Sequence, residues 1–282
     1  MRCGVASEVA PLTDVLLHRP GREVEHGGDP DAVQMMEPMD ARAAAAQHDG
    51  VAEAFRRSGA RVHYVEPRTA PPPNLLYVAD LLFMTPEGAI VGRPAGVPRA
   101  GEERLVAEAL ARLGVPVLRT VRGRGVFEGA DAAWLDARTV MLAEGMRSNR
   151  EGVDQVASLL GEMGVGVVHT RLAPGTMHLM GQLRFVDERA CLVGRPGLGE
   201  DALAALRREG YRVLEAPDER ELGRMAINLV TLAPREVLLP AGNPRTLEVL
   251  AAEGVRCVEV PADELAKGGG GIGCMTGVLR RA

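Results

Sequence analysis

Apolar and polar positions along the chain follow one pattern, repeated five times. Five short apolar runs end in similar punctuation: DVLLHRPG from Asp14, AIVGRPAG from Ala89, TVMLAEGM from Thr139, ACLVGRPG from Ala190 and EVLLPAGN from Glu236. Runs this short, bounded by Gly and Pro, predict buried strands. Each precedes a segment such as RAGEERLVAEALARLG or NREGVDQVASLLGEMG, where apolar residues recur at helical spacing and glycine closes the run. A β-rich run follows every helix: ARVHYVEP, VPVLRTV, VGVVHTR, YRVLEAP and RCVEVP. The last four copies recur at about 50 residues, within the range of periods that marks repeat architectures.

Four copies carry a further strand before the punctuated run. LLFMTPEGAIVG, AAWLDARTVMLA, LRFVDERACLVG and LVTLAPREVLLP each predict a hairpin, with Thr-Pro-Glu-Gly and Asp-Glu-Arg as loops. The first copy lacks this strand, but the chain end, CMTGVLRR, can supply it. A ring closed by its two termini would remove sheet edges that would otherwise be exposed. The pattern therefore predicts an α/β fold (α+β in its antiparallel hairpins), a five-bladed α/β propeller of pseudo-fivefold ββαβ units in one domain over residues 1–282. The competing architecture, a doubly wound parallel sheet, has no need of the hairpins.

A polar residue stands just before the first hairpin strand of every unit: Asp80, Asp131, His178, Asn228 and Cys274. In a pseudo-fivefold ring such positions converge on one end of the axis. Taken singly, each has a structural reading: Cys274 as a small buried hydrophobe, like Cys191 and Cys257 in their strands, His178 as a hydrogen-bonding histidine, Asp80 and Asp131 as turn-formers. Their shared register is what points to a site. The stretch KGGGGIGCMTGVLRRA also satisfies G-x-G-x-x-G through Gly268, Gly270 and Gly273, but no helix and second strand follow as a dinucleotide site requires. A flexible tail and a glycine platform presenting Cys274 remain as alternatives.

Composition narrows the classes. The 282 residues are 46% hydrophobic and 25% charged, ordinary for a globular chain. Aromatics are only 3%, so the core must be aliphatic. A net charge of -5 gives no basic footprint for nucleic acid or an anionic membrane. No signal peptide or membrane-spanning run is evident, and the four scattered cysteines suit reduced thiols, so a cytoplasmic location is expected. No metal is expected, because no ligand-spaced His or Cys motif exists.

The segments PNLLYVADLLFMTPEGA, FEGAD, RSN, MHL, NPRT and GGGGIGCMT resemble the guanidine-modifying enzyme (pentein) superfamily, which includes arginine deiminases, dimethylarginine dimethylaminohydrolases and amidinotransferases. The resemblance implies a five-bladed α/β propeller without a cofactor. It implies Cys274 as nucleophile, His178 as general acid/base and Glu128 orienting the histidine. Asp80 would grip the guanidinium, and Arg99 and Arg147 would hold a substrate α-carboxylate. Asn74 would contact the amino-acid end, with Asp131 beside the substrate. The segment GREVEHGGDPDAVQ resembles a lid. The run His178-Leu179-Met180 lacks the second Asp usual in deiminases and amidinotransferases, Ala79 precedes Asp80 where a charge is common, and Gly273 replaces a frequent His. The expected function is hydrolysis of arginine or an Nω-methylated arginine to citrulline. An amidinotransferase and a non-catalytic propeller binding protein are the alternatives. The partner is a small arginine-like guanidino substrate, and a homodimer is compatible with the sequence.

Overall fold

The computed structural model describes residues 3–25 and 29–282. Its strands form five separate three-stranded sheets. The first joins β1 (Leu12–Leu17), β2 (Arg61–Tyr64) and the last strand, β15 (Gly277–Arg281). The second is β3 (Leu82–Met84), β4 (Ala89–Val91) and β5 (Val117–Thr120), and the third β6 (Ala132–Asp136), β7 (Thr139–Glu144) and β8 (Gly166–Arg171). The fourth is β9 (Leu183–Asp187), β10 (Ala190–Val193) and β11 (Arg212–Glu215), the fifth β12 (Val230–Ala233), β13 (Glu236–Pro240) and β14 (Arg256–Val260). In every sheet the central strand pairs antiparallel with the inner strand and parallel with the outer one. This is the five-bladed α/β propeller that the repeat predicts.

The antiparallel pairing of β15 with β1, for example Val278 opposite Val15, closes the ring with the chain's own end. The strand starts at Gly277, because Ile272–Met275 folds into a single helical turn instead of extending it. Central strands such as β4 and β10 are buried throughout, whereas outer strands such as β5 are exposed at both ends and half-buried between. Between central and outer strand runs one helix per blade: Ala41–Arg57, Glu102–Arg112, Arg150–Glu162, Glu200–Arg208 and Pro244–Ala252. The first buries Ala44, His48, Val51, Ala52 and Phe55, one stripe at helical spacing, and Asp40 caps it by accepting from the Ala43 N–H at 2.7 Å. The glycine that punctuates each helix has a conformational reason. Gly114 and Gly164 stand just beyond their helices at φ 68° and 72°, a left-handed conformation that costs glycine nothing.

On the inner face Trp134 stacks on Phe83 with ring centroids 5.8 Å apart and donates from Nε1 to the Met84 carbonyl. Cys191 is fully buried as expected, but Cys257 is only half-buried because β14 is an outer strand. Among the described residues no helix is long and apolar enough to cross a membrane.

Candidate active site

Each inner strand is entered through a tight turn, and the polar residue seen in the sequence stands in or beside that turn. Asp80 lies in the turn Val78–Leu81, Asp131 in Gly129–Asp131, and His178 caps Leu179–Gly181. Asn228 comes shortly before β12, and Cys274 sits in Ile272–Met275. Because the inner strands repeat around one axis, these turns gather at one end of it. A cavity of about 30 Å³ opens there, lined by Asn74, Asp80, Arg99, Arg147, His178 and Cys274.

The glycine run presents the thiol on a platform. Tyr77, buried beside it, accepts from the Gly270 N–H at 3.2 Å and donates to the Leu265 carbonyl at 3.3 Å. A Cβ on Gly268 or Gly270 would collide with the Tyr77 side chain, so only glycine lets the turn lie against that ring. Gly270→Ala is accordingly expected to cost about 1–3 kcal/mol through overpacking, measured by denaturant unfolding; an unchanged midpoint would show that the platform yields freely. Asn228 then fixes the nucleophile from two sides. Its Oδ1 accepts from the Cys274 N–H at 3.0 Å, and its Nδ2 donates to Cys274 Sγ at 3.0 Å. Burial pushes the Cys274 thiol above its ordinary range, the Asp80 charge adds to that, and the Asn228 hydrogen bond partly offsets it. The resting thiol is therefore protonated at neutral pH.

His178 is 5% exposed and its Nε2 lies 2.6 Å from Oε2 of Glu128, itself fully buried. Burial alone would favour the neutral ring. The Asp80 charge and the Glu128 hydrogen bond outweigh it and push His178 up to about 9. Burial likewise raises Glu128, but the His178 hydrogen bond and charge, with Arg99 and Arg147 behind them, hold it well below the usual carboxylate range. A buried imidazolium–carboxylate pair results. Glu128 is braced further by the Ala95 N–H, which it accepts at 3.0 Å.

Four residues expected at the substrate stand differently from one another. Arg147 lines the cavity and donates to Oε1 of Gln34 at 3.1 Å; among the described residues it makes no carboxylate ion pair. Arg99 is instead engaged by carboxylates, with Nη1 2.6 Å from Asp80 Oδ2 and Nε 2.9 Å from Glu102 Oε2. These two buried acids hold Arg99 in the cavity wall, where its charge contacts lie within the chain itself. Asn74 lines the cavity but spends its amide N–H on the Val33 carbonyl. Asp131 does not line the cavity. It accepts from the Ser148 hydroxyl at 2.6 Å and the Leu179 N–H at 3.0 Å, bracing the peptide that follows His178. Burial raises Asp131 to about 6.

Asp80 keeps one oxygen for the cavity. Oδ2 holds Arg99, while Oδ1 is buried without a hydrogen-bond partner, 3.9 Å from His178 Nε2. Ligand atoms of Asp80, Glu128 and His178 come within 4.8 Å of one another, a spacing that could suit a metal. Arg99 Nη1 already sits among them, 3.6 Å from Glu128 Oε2, so the cluster accommodates a guanidinium. Sequence reasoning found Cys274, His178, Glu128 and Asp80 at this end of the ring and gave Tyr77, Gln34 and Ser148 no part. Of the resembling lid segment, residues 26–28 lie outside the described residues; its end supplies Gln34, at φ 56°.

A family profile described as arginine deiminase matches residues 195–281. The chain is 25% identical to N(G),N(G)-dimethylarginine dimethylaminohydrolase of Pseudomonas aeruginosa over 256 residues, 91% of this chain and 92% of that protein. It is 28% identical to the enzyme of the same name from Mycobacterium tuberculosis over 243 residues, 85% of this chain and 76% of that one. A solved dimethylarginine dimethylaminohydrolase, as its adduct with 4-chloro-2-hydroxymethylpyridine, superposes with a TM-score of 0.77 at 25% identity, covering 96% of this chain and 100% of that one. Likeness of that breadth, on a ring whose turns meet where these motifs predict, makes the chain a member of the guanidine-modifying enzyme, or pentein, superfamily.

Proposed function

We propose that residues 1–282 form one catalytic domain, a cysteine-dependent amidine C–N hydrolase converting arginine or an Nω-methylated arginine to citrulline and ammonia or an amine. One observation carries this reading: Cys274 and His178 line the same cavity as a buried, unpartnered carboxylate oxygen of Asp80, with Arg147 beside them. Asp80 Oδ1 accepts a substrate N–H, a charge-assisted bond that fixes the guanidinium plane. The arriving cation offsets the Asp80 charge that keeps the thiol protonated, so Cys274 releases its proton to solvent on binding. The thiolate attacks the guanidino carbon, forming a C–S bond. His178 gives its proton to the departing nitrogen as the C–N bond breaks, leaving an S-alkylthiouronium on Cys274. Neutral His178 then takes a proton from water and the hydroxide adds to the same carbon; the C–S bond breaks as the adduct's hydroxyl proton passes to the sulfur, releasing the neutral ureido product and the resting Cys274 thiol. Arg147 is the side chain placed to meet a substrate carboxylate.

A panel of arginine, methylarginines, agmatine and guanidino acids, assayed for ureido product, tests the class; no ureido product from any of them would end it. Ornithine formed from arginine in the presence of glycine or lysine would instead indicate amidino transfer. Asp80→Asn separates the two roles given to that carboxylate. Turnover should fall by roughly 10²–10³-fold, the scale of losing one strong electrostatic contact. The Cys274 thiol of the free enzyme should meanwhile ionise at lower pH, because a charge that raises its pKa has gone. Iodoacetamide inactivation followed against pH reports the thiol, and an upward move would contradict this arrangement.

A further inference from the structure

The inner strands enclose a second cavity of about 70 Å³ along the ring axis, walled chiefly by apolar side chains such as Leu82, Phe83, Trp134 and Phe185. Two arginines from different blades line it: Arg184 on β9 and Arg281 on β15. Arg281 is 9% exposed. It donates from Nη1 to the Ala10 and Thr231 carbonyls at 2.7 and 2.9 Å, while its Nε is buried without a partner. Both Nε and Nη2 of Arg184 are buried without a partner. Glu8 is the acidic residue in the cavity wall, and its Oε1 already accepts from the Trp134 N–H at 3.0 Å. Among the described residues neither arginine makes an ion pair.

Two guanidinium charges therefore face one carboxylate in a largely apolar enclosure, with three donor nitrogens unsatisfied. Buried donors without acceptors are uncommon in folded proteins, and buried charges are normally compensated. Water could accept hydrogen bonds here but would leave the charge imbalance in place. The enclosure has room for only a few water-sized species, given that water occupies about 30 Å³ in the liquid. We propose that this axial cavity is a built site for a small monovalent anion of halide size, held by Arg184 and Arg281.

The site also bears on the thiol. A Cβ on Gly273 would collide with Arg184 Nη2, so this guanidinium lies directly behind the peptide that precedes the nucleophile. An anion bound there weakens the positive field that Arg184 exerts on Cys274. Occupancy of the site does not depend on the proposed reaction.

Crystals of the full chain soaked in sodium bromide, measured at the bromine absorption edge, give the direct test. An anomalous peak inside the cavity against the Arg184 and Arg281 nitrogens is expected; bromine signal confined to the outer surface, or absent, overturns the proposal. In solution, chloride should raise the unfolding midpoint saturably above sodium gluconate of equal ionic strength, reaching roughly 11-fold in the folding equilibrium at ten times the dissociation constant. That excess should vanish in Arg184→Met and Arg281→Met. If it persists unchanged in the folded variants, the ion binds elsewhere and the proposal fails. Should neither variant fold, the bromide map of the unaltered chain decides alone.

Discussion

Replacing Cys274 by alanine is expected to lower kcat by at least about 10⁴-fold, more than 5 kcal/mol of barrier, while the chain stays folded. The size of the effect follows from the proposed role. Without sulfur no C–S bond forms, and neither His178 nor Asp80 can replace a covalent step. The structural cost should be much smaller. Asn228 Nδ2 loses the acceptor it holds at 3.0 Å, and leaving such a donor unsatisfied costs about 1–3 kcal/mol. Cys274→Ser retains an acceptor and should recover most of that stability with none of the turnover. Rapidly quenched unaltered protein, analysed by peptide mass, should carry the S-alkylthiouronium adduct on Cys274 and on none of Cys3, Cys191 or Cys257. A fully active alanine variant, or an adduct on another cysteine, would remove the mechanism. Cys191 is a poor competitor, since burial raises its thiol to about 12.

The fold was legible because its information is local and repeated. Each blade carries the same alternation and the same left-handed glycine after its helix, and four carry the same hairpin, so any one copy could be read with the help of the others. The polar residues at the turns were legible for the same reason, since register in a repeat is position in space. What the sequence did not disclose are choices among side-chain partners. Arg99 can reach a substrate or its own acids. Only the packed structure shows Asp80 and Glu102 holding it, with Glu102 forced up to about 8 by burial despite that contact. Asp131 shares the register of Asp80, yet its oxygens turn toward Ser148 and the Leu179 N–H, so a shared backbone position did not confer a shared role. Tyr77 and Arg184 carry no local signal at all. Their importance lies in the missing side chains of Gly268, Gly270 and Gly273, which lie far from them in the chain.

Glu128→Gln is expected to lower kcat by roughly 10²–10⁴-fold, the range associated with disabling a general acid/base, and to move the pH profile in a definite direction. In the unaltered protein the alkaline limb of kcat/KM should report loss of the His178 proton near 9. Glutamine keeps an oxygen near His178 Nε2 but removes the adjacent negative charge, so the limb should move down by about 1–3 units. Stability supplies an independent readout. His178 titrates higher in the folded state than in the unfolded chain, so its stabilising contribution is complete below about 6.5 and is lost as pH rises through about 9. Glu128 titrates lower when folded, so its contribution is present above about 4.5 and disappears as pH falls through its depressed value. The variant should therefore lose less stability than the parent between neutral pH and about 9, and less on acidification below about 4.5. A glutamate that merely filled space would leave the alkaline limb where it was, and an unmoved limb would separate Glu128 from the chemistry altogether.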